Sequence, residues 1–468
     1  MTDWRDAVLV GVHPLSSEHE GSAVRAGHGR IGRADVVVAA WDFGVHGGSF
    51  GEREADAFIA ACAEAASTRR PLVSMVRSGG TRLQEGMRAL VGIPRALIAL
   101  EQVADAGVLH VSVADQPTTG GVWVAIAAAA DVRIGVAGAT VGFSGPRVIE
   151  SMTGVAVPRG TNTAESAGAA GLLDAVVSPE EVATWLEDLL VTLRPDDPEP
   201  TAAPVPVGVP DRSGAEQVAH SRGVDRPSGA ELVEALLTDE LLTEGLLTDA
   251  VPLRGGDDTV IAALGRIAGH RVVMIALTAR RAGRATPDGY ELFARATALA
   301  GRLDLSCVVL VDTAGADPLP LSEQAGIAPA IAAAMTALLH CAGPTIAVVH
   351  GEGGSGGALA GAVTDVVAVT ENGWFAALGP EGAAATLRVE ATTAADLMGV
   401  APRDLLGCGF ADALAPADAA ALREWLAARL DLLRALDREE RRAHRWRRWA
   451  GPLPGTPLSD PPEPPEIA

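Results

Sequence analysis

The groups in this chain best suited to chemistry are main-chain amides at glycine-bearing turns. Four such turns follow apolar runs: Ser78-Gly79-Gly80-Thr81, Thr119-Gly120-Gly121, Thr313-Ala314-Gly315 and Gly354-Ser355-Gly356-Gly357. Glycine admits a positive φ and lets the backbone approach a ligand closely. Successive N–H groups at such a turn form an oxyanion hole, which is often the largest single contribution to catalysis. A thioester carbonyl that becomes an enolate is one oxygen such a hole serves.

The richest stretch is His350-Gly351-Glu352-Gly353-Gly354-Ser355-Gly356-Gly357-Ala358. It follows the apolar run Thr345-Ile346-Ala347-Val348-Val349, read as a buried strand, and precedes small residues that can open a helix. Strand, glycine loop and helix start aim amides at one spot, an arrangement that binds anionic oxygen. The same stretch satisfies the GxGxxG spacing, and Glu371 lies 20 residues beyond Gly351, where a ribose-binding acid would stand. The earlier loop, Pro117-Thr118-Thr119-Gly120-Gly121, keeps only the closing glycine pair. The shared feature is therefore Gly-Gly, which weighs against a dinucleotide site.

Side-chain candidates are fewer. Ser144 lies between glycines in Gly142-Phe143-Ser144-Gly145, but the pattern is not GxSxG and no His stands out as its partner. Glu85 and Glu323 each follow an oxyanion-type turn, as a general base would. Their position fits helix capping or loop orientation better. Cys62, Cys307, Cys341 and Cys408 lack zinc-ligand spacing and read as buried apolar side chains. No zinc is expected. The sequence contains no lysine. Walker A, Schiff-base and Ser-Lys mechanisms are thereby excluded, and lysine-linked biotin or lipoate is expected on another protein.

The elements that must position these turns alternate. Apolar runs at Val36–Trp41, Pro71–Val76, Val108–Val113 and Val132–Val136 read as strands, separated by helical stretches at Glu54–Ala66 and about 85–106. Strands apolar throughout, alternating with helices, imply an α/β sheet covered on both faces. The 468 residues exceed one ordinary core. The expected organisation is an irregular arm over 1–30, a first α/β domain over 31–194, a linker over 195–228, a second domain over 229–436, and a basic helix with a Pro-rich, disordered tail over 437–468. The basic segment, with Trp446 and Trp449, is read as a helix with a solvated face or as a docking surface for an acidic partner.

A formal net charge of −22 argues against nucleic acid and anionic membrane surfaces. No apolar run is long enough to span a membrane, and the first residues lack signal-peptide character. A cytoplasmic location is the expectation.

The two domains align by their landmarks. Gly79 and Gly315 are 236 residues apart, as are Gly120 and Gly356. Asp131 and Asp365, and Pro146 and Pro380, are 234 apart. Glu85 and Glu323, and Asp174 and Asp412, are 238 apart. The near-constant offset implies a duplicated fold.

The motifs that carry a family resemblance are long and ordered. The first domain resembles the β subunit of the bacterial acetyl-CoA carboxylase carboxyltransferase, through Gly47-Gly48-Ser49-Phe50-Gly51, Ser78-Gly79-Gly80-Thr81-Arg82-Leu83-Gln84-Glu85-Gly86, Pro117 to Val122 and Gly142 to Glu150. The second resembles the α subunit, through Pro287-Asp288-Gly289-Tyr290, Val311 to Ala316, Gly351 to Ala358 and Gly379 to Ala383. The β–α order in one chain is similar to the fused subunits of actinobacterial acyl-CoA carboxylases. The resemblance implies two tandem crotonase-like domains related by duplication. It implies transfer of a carboxyl group from carboxybiotin, on a separate carrier protein, to the α-carbon of acetyl-CoA or another short acyl-CoA. Biotin that has released CO₂ would take the α-proton, and the enolate would attack the CO₂. The Gly80 and Thr81 amides would hold the thioester oxygen. Gly120 and Gly121, with Gly356, Gly357 and Ala358, would hold the biotin side. Gly48, Gly79, Arg82, Gly145 and Gly315 would line the substrate. The implied partners are a biotin carboxylase, a biotin carrier protein and further copies of the chain, with active sites between chains. Two departures stand out: no four-cysteine zinc ribbon precedes the first domain, and Asp312-Thr313-Ala314-Gly315 has alanine where the family has proline. Two alternatives stay open, a biotin-independent malonyl-thioester decarboxylase on the same fold and a non-catalytic scaffold subunit.

Overall fold

The computed structural model describes residues 4–9, 11–15, 21–198, 201, 206–237, 250–278 and 284–453. The chain forms two compact units, one of residues 1–194 with 241–256 and one of 195–240 with 257–468.

After a short helix, Trp4–Val8, the first unit has an antiparallel hairpin, β1 (Val24–Ile31) and β2 (Ala34–Trp41), with His13–Pro14 paired on the outer edge of β1. From β2 the sheet is parallel and runs through β3 (Leu72–Ser78), β4 (His110–Thr119), β5 (Val132–Val136) and, past the short β6 (Val141–Gly142), β7 (Ala175–Val177). The short β6 pairs with the end of β4. Val37, Val38, Val73, Val111 and Val113 are each at most 1% exposed, because both faces of a parallel sheet are covered. Helices α1 (Glu52–Thr68) and α2 (Met87–Asp105) pack on each other beside it. At the start of α1 the Glu54 carboxylate accepts the Gly51 N–H at 3.0 Å, which satisfies a donor the helix itself cannot.

The second unit repeats this plan. An antiparallel hairpin of β8 (Val260–Ile267) and β9 (His270–Thr278) leads into a parallel run of β10 (Ser306–Thr313), β11 (Thr345–Gly354), β12 (Val366–Thr370) and, past the short β13 (Trp374–Ala376), β14 (Ala413–Ala415). The short β13 pairs with the end of β11 as β6 does with β4. Details repeat as well. The register slips between Val76 and Ser78 against β4, and between Val311 and Thr313 against β11. Asp131 accepts the His110 N–H at 2.7 Å, and Asp365 accepts the Thr345 N–H at 2.8 Å. Asp174 accepts the Arg133 N–H at 2.9 Å, and Asp412 accepts the Val367 N–H at 2.7 Å. The aspartates among the landmarks therefore recur because each pins the start of a neighbouring strand.

Two expectations need correction and a third is met only in part. The expected irregular arm over 1–30 ends in regular structure, since β1 is paired along its full length with β2. Its glycines mislead: a Cβ at Gly27 would lie 2.6 Å from Val12, so this glycine marks close packing and not a break. Residues 195–228 are not a free linker. They contain the helix Gly214–Gly223, from which the buried Gln217 donates to the Glu371 and Gly373 carbonyls. The polarity there serves buried hydrogen bonds. The basic helix Arg438–Ala450 has the expected solvated face, with Arg438, Arg442 and Arg447 exposed, but it also buries two charges, Arg441 and Arg445. Arg445, 1% exposed, pairs with Asp365 at 2.7 Å and donates to the Leu338, Cys341 and Gly343 carbonyls. Trp446 donates to Leu339 O, so this helix satisfies the carbonyls at and beyond the C-terminus of Ile327–His340. The Pro-rich tail from 454, and residues 238–249 of the Leu-rich segment, lie outside the described residues. Among the described residues, no helix is long and apolar enough to cross a membrane.

Candidate active site

In the first unit, β3 ends at Ser78, whose hydroxyl accepts the Gly80 N–H at 3.1 Å. Gly80 then turns with φ +108°. Thr81 forms a parallel bridge with Phe50, in which Phe50 N–H donates to Gly80 O and Arg82 N–H to Phe50 O, both at 2.8 Å. The Thr81 amide has no acceptor among the described residues. Strand β4 ends at Thr119, and Gly120 turns with φ +69° while its own N–H donates to Phe143 O at 3.0 Å. A helical turn begins at Gly121, where amides have no intrahelical acceptor. A Cβ on Gly120 would lie 3.0 Å from the Gly80 Cα, so the two turns are in contact.

This geometry divides the candidate residues by role. Gly80 and Gly120 bend the chain, and their own amides are engaged in the turns. Thr81 and Gly121 present the open donors. Gly79 donates to Gly47 O at 3.2 Å, and a Cβ on Gly48 would lie 2.0 Å from Arg77 O, so both belong to the wall behind the turn. Gly145 is the N-cap of α3 (Pro146–Thr153). Arg82 is held by Glu54 at 2.7 Å, Glu85 at 2.9 Å and the Ser49 hydroxyl at 3.1 Å, so its guanidinium anchors the loop. Glu85 accepts the Glu52 N–H at 2.7 Å. That bond first, and then Arg82, hold its pKa below the ordinary glutamate value despite the opposing effect of burial, which suits an anchor and not a base.

The second unit builds the same corner. The Thr313 hydroxyl accepts the Gly315 N–H at 3.2 Å, and Gly315 turns with φ +120°. Ala316 bridges Ala285 as Thr81 bridges Phe50. Gly315 therefore matches Gly80, not Gly79, at an offset of 235 residues. At the same offset Gly120 matches Ser355, which has φ +62° and heads the short helix Ser355–Leu359. Gly121 then matches Gly356. The stretch read as a loop at Gly351–Gly354 is instead the end of β11. A Cβ at Gly351 would lie 2.2 Å from Asp312, at Gly353 2.2 Å from Phe375, and at Gly354 2.3 Å from Ala314 O. These glycines permit close packing within the sheet and cradle no phosphate. Gly356 is open, with no atom within 4 Å of a Cβ. At Gly357 a Cβ would lie 2.3 Å from the Ala316 nitrogen and 2.7 Å from the Tyr290 hydroxyl. Ala358 is buried behind them. Gly315, Ala316, Ser355, Gly356 and Gly357 open on a cleft of about 400 Å³ that also carries Arg284, Asp317, Glu323 and Glu381.

One buried pair beneath this cleft was not legible in the sequence. Asp312, under 1% exposed, accepts from both terminal nitrogens of Arg226 at 2.5 and 2.7 Å and from the Glu352 N–H at 2.9 Å. Burial would raise the Asp312 pKa, but the Arg226 hydrogen bonds and the nearby positive charge outweigh it and the carboxyl sits below its usual range. Arg226 is 86 residues away in a Pro-rich segment, and no spacing rule links the two.

Residues 212–450 match the family model described as acetyl co-enzyme A carboxylase carboxyltransferase-like. The chain is 35% identical over 434 residues to the acetyl-coenzyme A carboxylase carboxyl transferase subunits beta/alpha of Parafrankia sp. (strain EAN1pec), covering 84% of this chain and 70% of that protein. It is 34% identical over 444 residues to the probable biotin-dependent acyl-coenzyme A carboxylase beta3 subunit of Mycobacterium tuberculosis (strain ATCC 25618 / H37Rv), covering 91% and 88%. Among solved structures, the transcarboxylase 12S hexamer with methylmalonyl-coenzyme A superposes with a TM-score of 0.74 at 22% identity, over 90% of this chain and 86% of that one. That likeness establishes the fold, two crotonase-like α/β units. With the doubled amide corners in place, the sequence relatives settle the affiliation: this chain belongs to the acetyl co-enzyme A carboxylase carboxyltransferase-like family, the carboxyltransferases of biotin-dependent acyl-CoA carboxylases.

Proposed function

We propose that the chain transfers a carboxyl group from carboxybiotin, carried by a separate protein, to the α-carbon of a short acyl-CoA, acetyl-CoA first among them, giving malonyl-CoA. The observation that carries this reading is the doubled corner: Thr81 with Gly121 in one unit, Ala316 with Gly356 in the other. Carboxyl transfer between biotin and a thioester develops negative charge on two oxygens, the thioester oxygen of the enolate and the ureido oxygen of biotin. Backbone donors held rigidly before reaction stabilise such charge without reorganisation. Biotin that has released CO₂ takes the α-proton, and the enolate carbon then attacks the CO₂, so no side-chain base is required of this chain.

We assign the thioester oxygen to the first unit, where Leu83, Met87 and Phe143 are exposed apolar side chains. The ureido oxygen goes to the second, whose cleft carries Arg284, Asp317, Glu323 and Glu381 beside apolar walls. The chain would act as a homo-oligomer, with a biotin carboxylase and a biotin carrier as partners and carboxybiotin as a visiting substrate.

The reverse reaction tests the proposal. Purified chain is given malonyl-CoA with and without free biotin, and methylmalonyl-CoA turnover is followed in parallel. Biotin-dependent release of acetyl-CoA is expected. Release that ignores biotin would point to the decarboxylase, and no release from any acyl-CoA would sink the carboxyltransferase reading.

A further inference from the structure

Among the described residues, the second unit's cleft carries three carboxylates, Asp317, Glu323 and Glu381. Two are engaged. Asp317 accepts the Ser322 hydroxyl and, at 3.3 Å, the Leu319 N–H, so it caps the turn that follows the corner. Glu381 is paired with Arg222. Glu323 differs. It lines the cleft and is exposed, and its carboxylate meets no hydrogen-bond donor or cation among the described residues.

The first unit shows why. There the landmark counterpart, Glu85, is tied twice, by the Glu52 N–H at 2.7 Å and by Arg82 at 2.9 Å. The bridges Phe50–Thr81 and Ala285–Ala316 set the correspondence of the two corners at 235 residues. At that offset Glu52 becomes Pro287, and Arg82 becomes Asp317. Proline has no N–H to give. An aspartate repels the carboxylate that an arginine would hold. Both ties of Glu85 are therefore lost. Glu85 stands four residues after Thr81, but Glu323 stands seven after Ala316, on the short helix Pro320–Gln324. An anchor in one copy of the corner is a free acceptor in the other.

The cleft thus offers three kinds of surface. The Ala316 and Gly356 amides donate, Glu323 accepts, and Ile327, Ile331 and Leu378 are apolar. A cyclic urea fused to an apolar ring presents the complement: a carbonyl oxygen, an N–H and a hydrophobic body. We propose that Glu323 accepts the ureido N–H of biotin, at the nitrogen that does not carry the carboxyl group. This rests on the carboxyltransferase reading of the same cleft. Holding the oxygen and one N–H fixes the urea in its plane and leaves the other nitrogen free to exchange the carboxyl group. No proton passes to Glu323. A hydrogen bond to a carboxylate is roughly twice as strong as one between neutral groups, so this contact contributes to affinity as well as orientation.

The test compares wild type, Glu323→Ala and Glu323→Gln. Biotin binding is followed by ligand-observed NMR, and biotin-dependent malonyl-CoA turnover by steady-state kinetics. Glu323→Ala should raise the Kd and KM for biotin about 10- to 100-fold, with the KM for malonyl-CoA, the kcat at saturating biotin and the Tm unchanged. Glu323→Gln keeps a neutral acceptor and should fall between. A biotin analogue methylated at the nitrogen that is not carboxylated supplies the matching change in the ligand. Wild type should prefer biotin to it, and Glu323→Ala should lose most of that preference. Wild-type biotin affinity in Glu323→Ala overturns the proposal, as does an unchanged preference between the two ligands. A collapse of kcat in Glu323→Gln at saturating biotin, with KM unchanged, also overturns it and makes the residue a base. If the wild type turns over no acyl-CoA, the carboxyltransferase reading fails, while the biotin titrations still decide on Glu323: weaker binding in Glu323→Ala supports the contact, and equal binding or none in the wild type overturns it.

Discussion

The two units build one corner with different supports. In the first, the loop after Gly80 is anchored by charge: Glu54, fully buried, accepts from Arg82, Gly51 and Ala23. In the second, the residues at the same places are Asp317 and Gly289, and that ion pair is absent. Support comes instead from Arg226 and Asp312 beneath β11, and from Asp257 accepting the Thr259 and Thr286 hydroxyls. What is common to both is the turn itself: a hydroxyl accepting the glycine N–H, a positive φ, and a bridge that leaves the next amide open. The requirement on both copies is thus the direction of backbone donors, and side chains are free to diverge as long as they hold it.

The largest effects should come from filling the corners. Gly357→Val places side-chain atoms on the Ala316 amide, and Gly120→Val does the same against Gly80 while straining φ +69°. Each should reduce turnover by at least about 10²–10³-fold, the effect of losing an oxyanion-hole donor. Gly356→Ala meets open space and should keep the fold, which circular dichroism and steady-state kinetics would check together. Equal loss from Gly357→Val and Gly356→Ala would break the equivalence drawn between the units.

Removing one partner of either buried anchor comes next. Arg226→Leu leaves Asp312 buried and unpaired, and Arg82→Leu leaves Glu54 so, and each should destabilise by about 3–5 kcal/mol in denaturant titration. If the supports are local, each variant should loosen its own unit in hydrogen exchange and leave the other protected.

Acid should act on the same anchor in the second unit. The Asp312 pKa is lowered in the folded state, so its stabilisation is present above the unfolded value near about 3.9 and is lost as pH falls through the lower folded value. Wild-type stability should therefore fall below about pH 4. Arg226→Leu should flatten that fall, and an unchanged acid limb would remove Asp312 from the account.

The smallest effect should come from Ser355→Gly. A non-glycine residue at φ +62° is strained where Gly120 is not. The substitution makes the second corner like the first and should raise stability by up to about 1 kcal/mol, measured by Tm. A clear loss of turnover would show that the Ser355 side chain also works in the cleft.

Much of this was legible from residues alone. The alternation of apolar strands and helices, the duplication and the four turns were all visible as local patterns, since each depends on a few adjacent side chains. The landmark offsets pointed to the repeat but erred by one residue at the glycines. Sequence pairs glycine with glycine, whereas the backbone pairs Gly120 with Ser355, because the register of β11 and not the residue type decides which position takes positive φ. The GxGxxG spacing misled for a related reason. Its glycines answer to Asp312, Phe375 and Ala314, and none of these contacts is local.

By itself, the sequence determined the fold class, the family and the sites where backbone amides could do chemistry, because these are written in short runs and turn residues. Only the tertiary structure decided which amides stay open, which glycines merely make room, and which charges are buried. Those outcomes depend on groups brought together across long separations, as Arg226 is to Asp312 and Arg445 to Asp365. Hydrogen-bond satisfaction in a packed interior is settled by three-dimensional neighbours, which residue type and spacing do not specify.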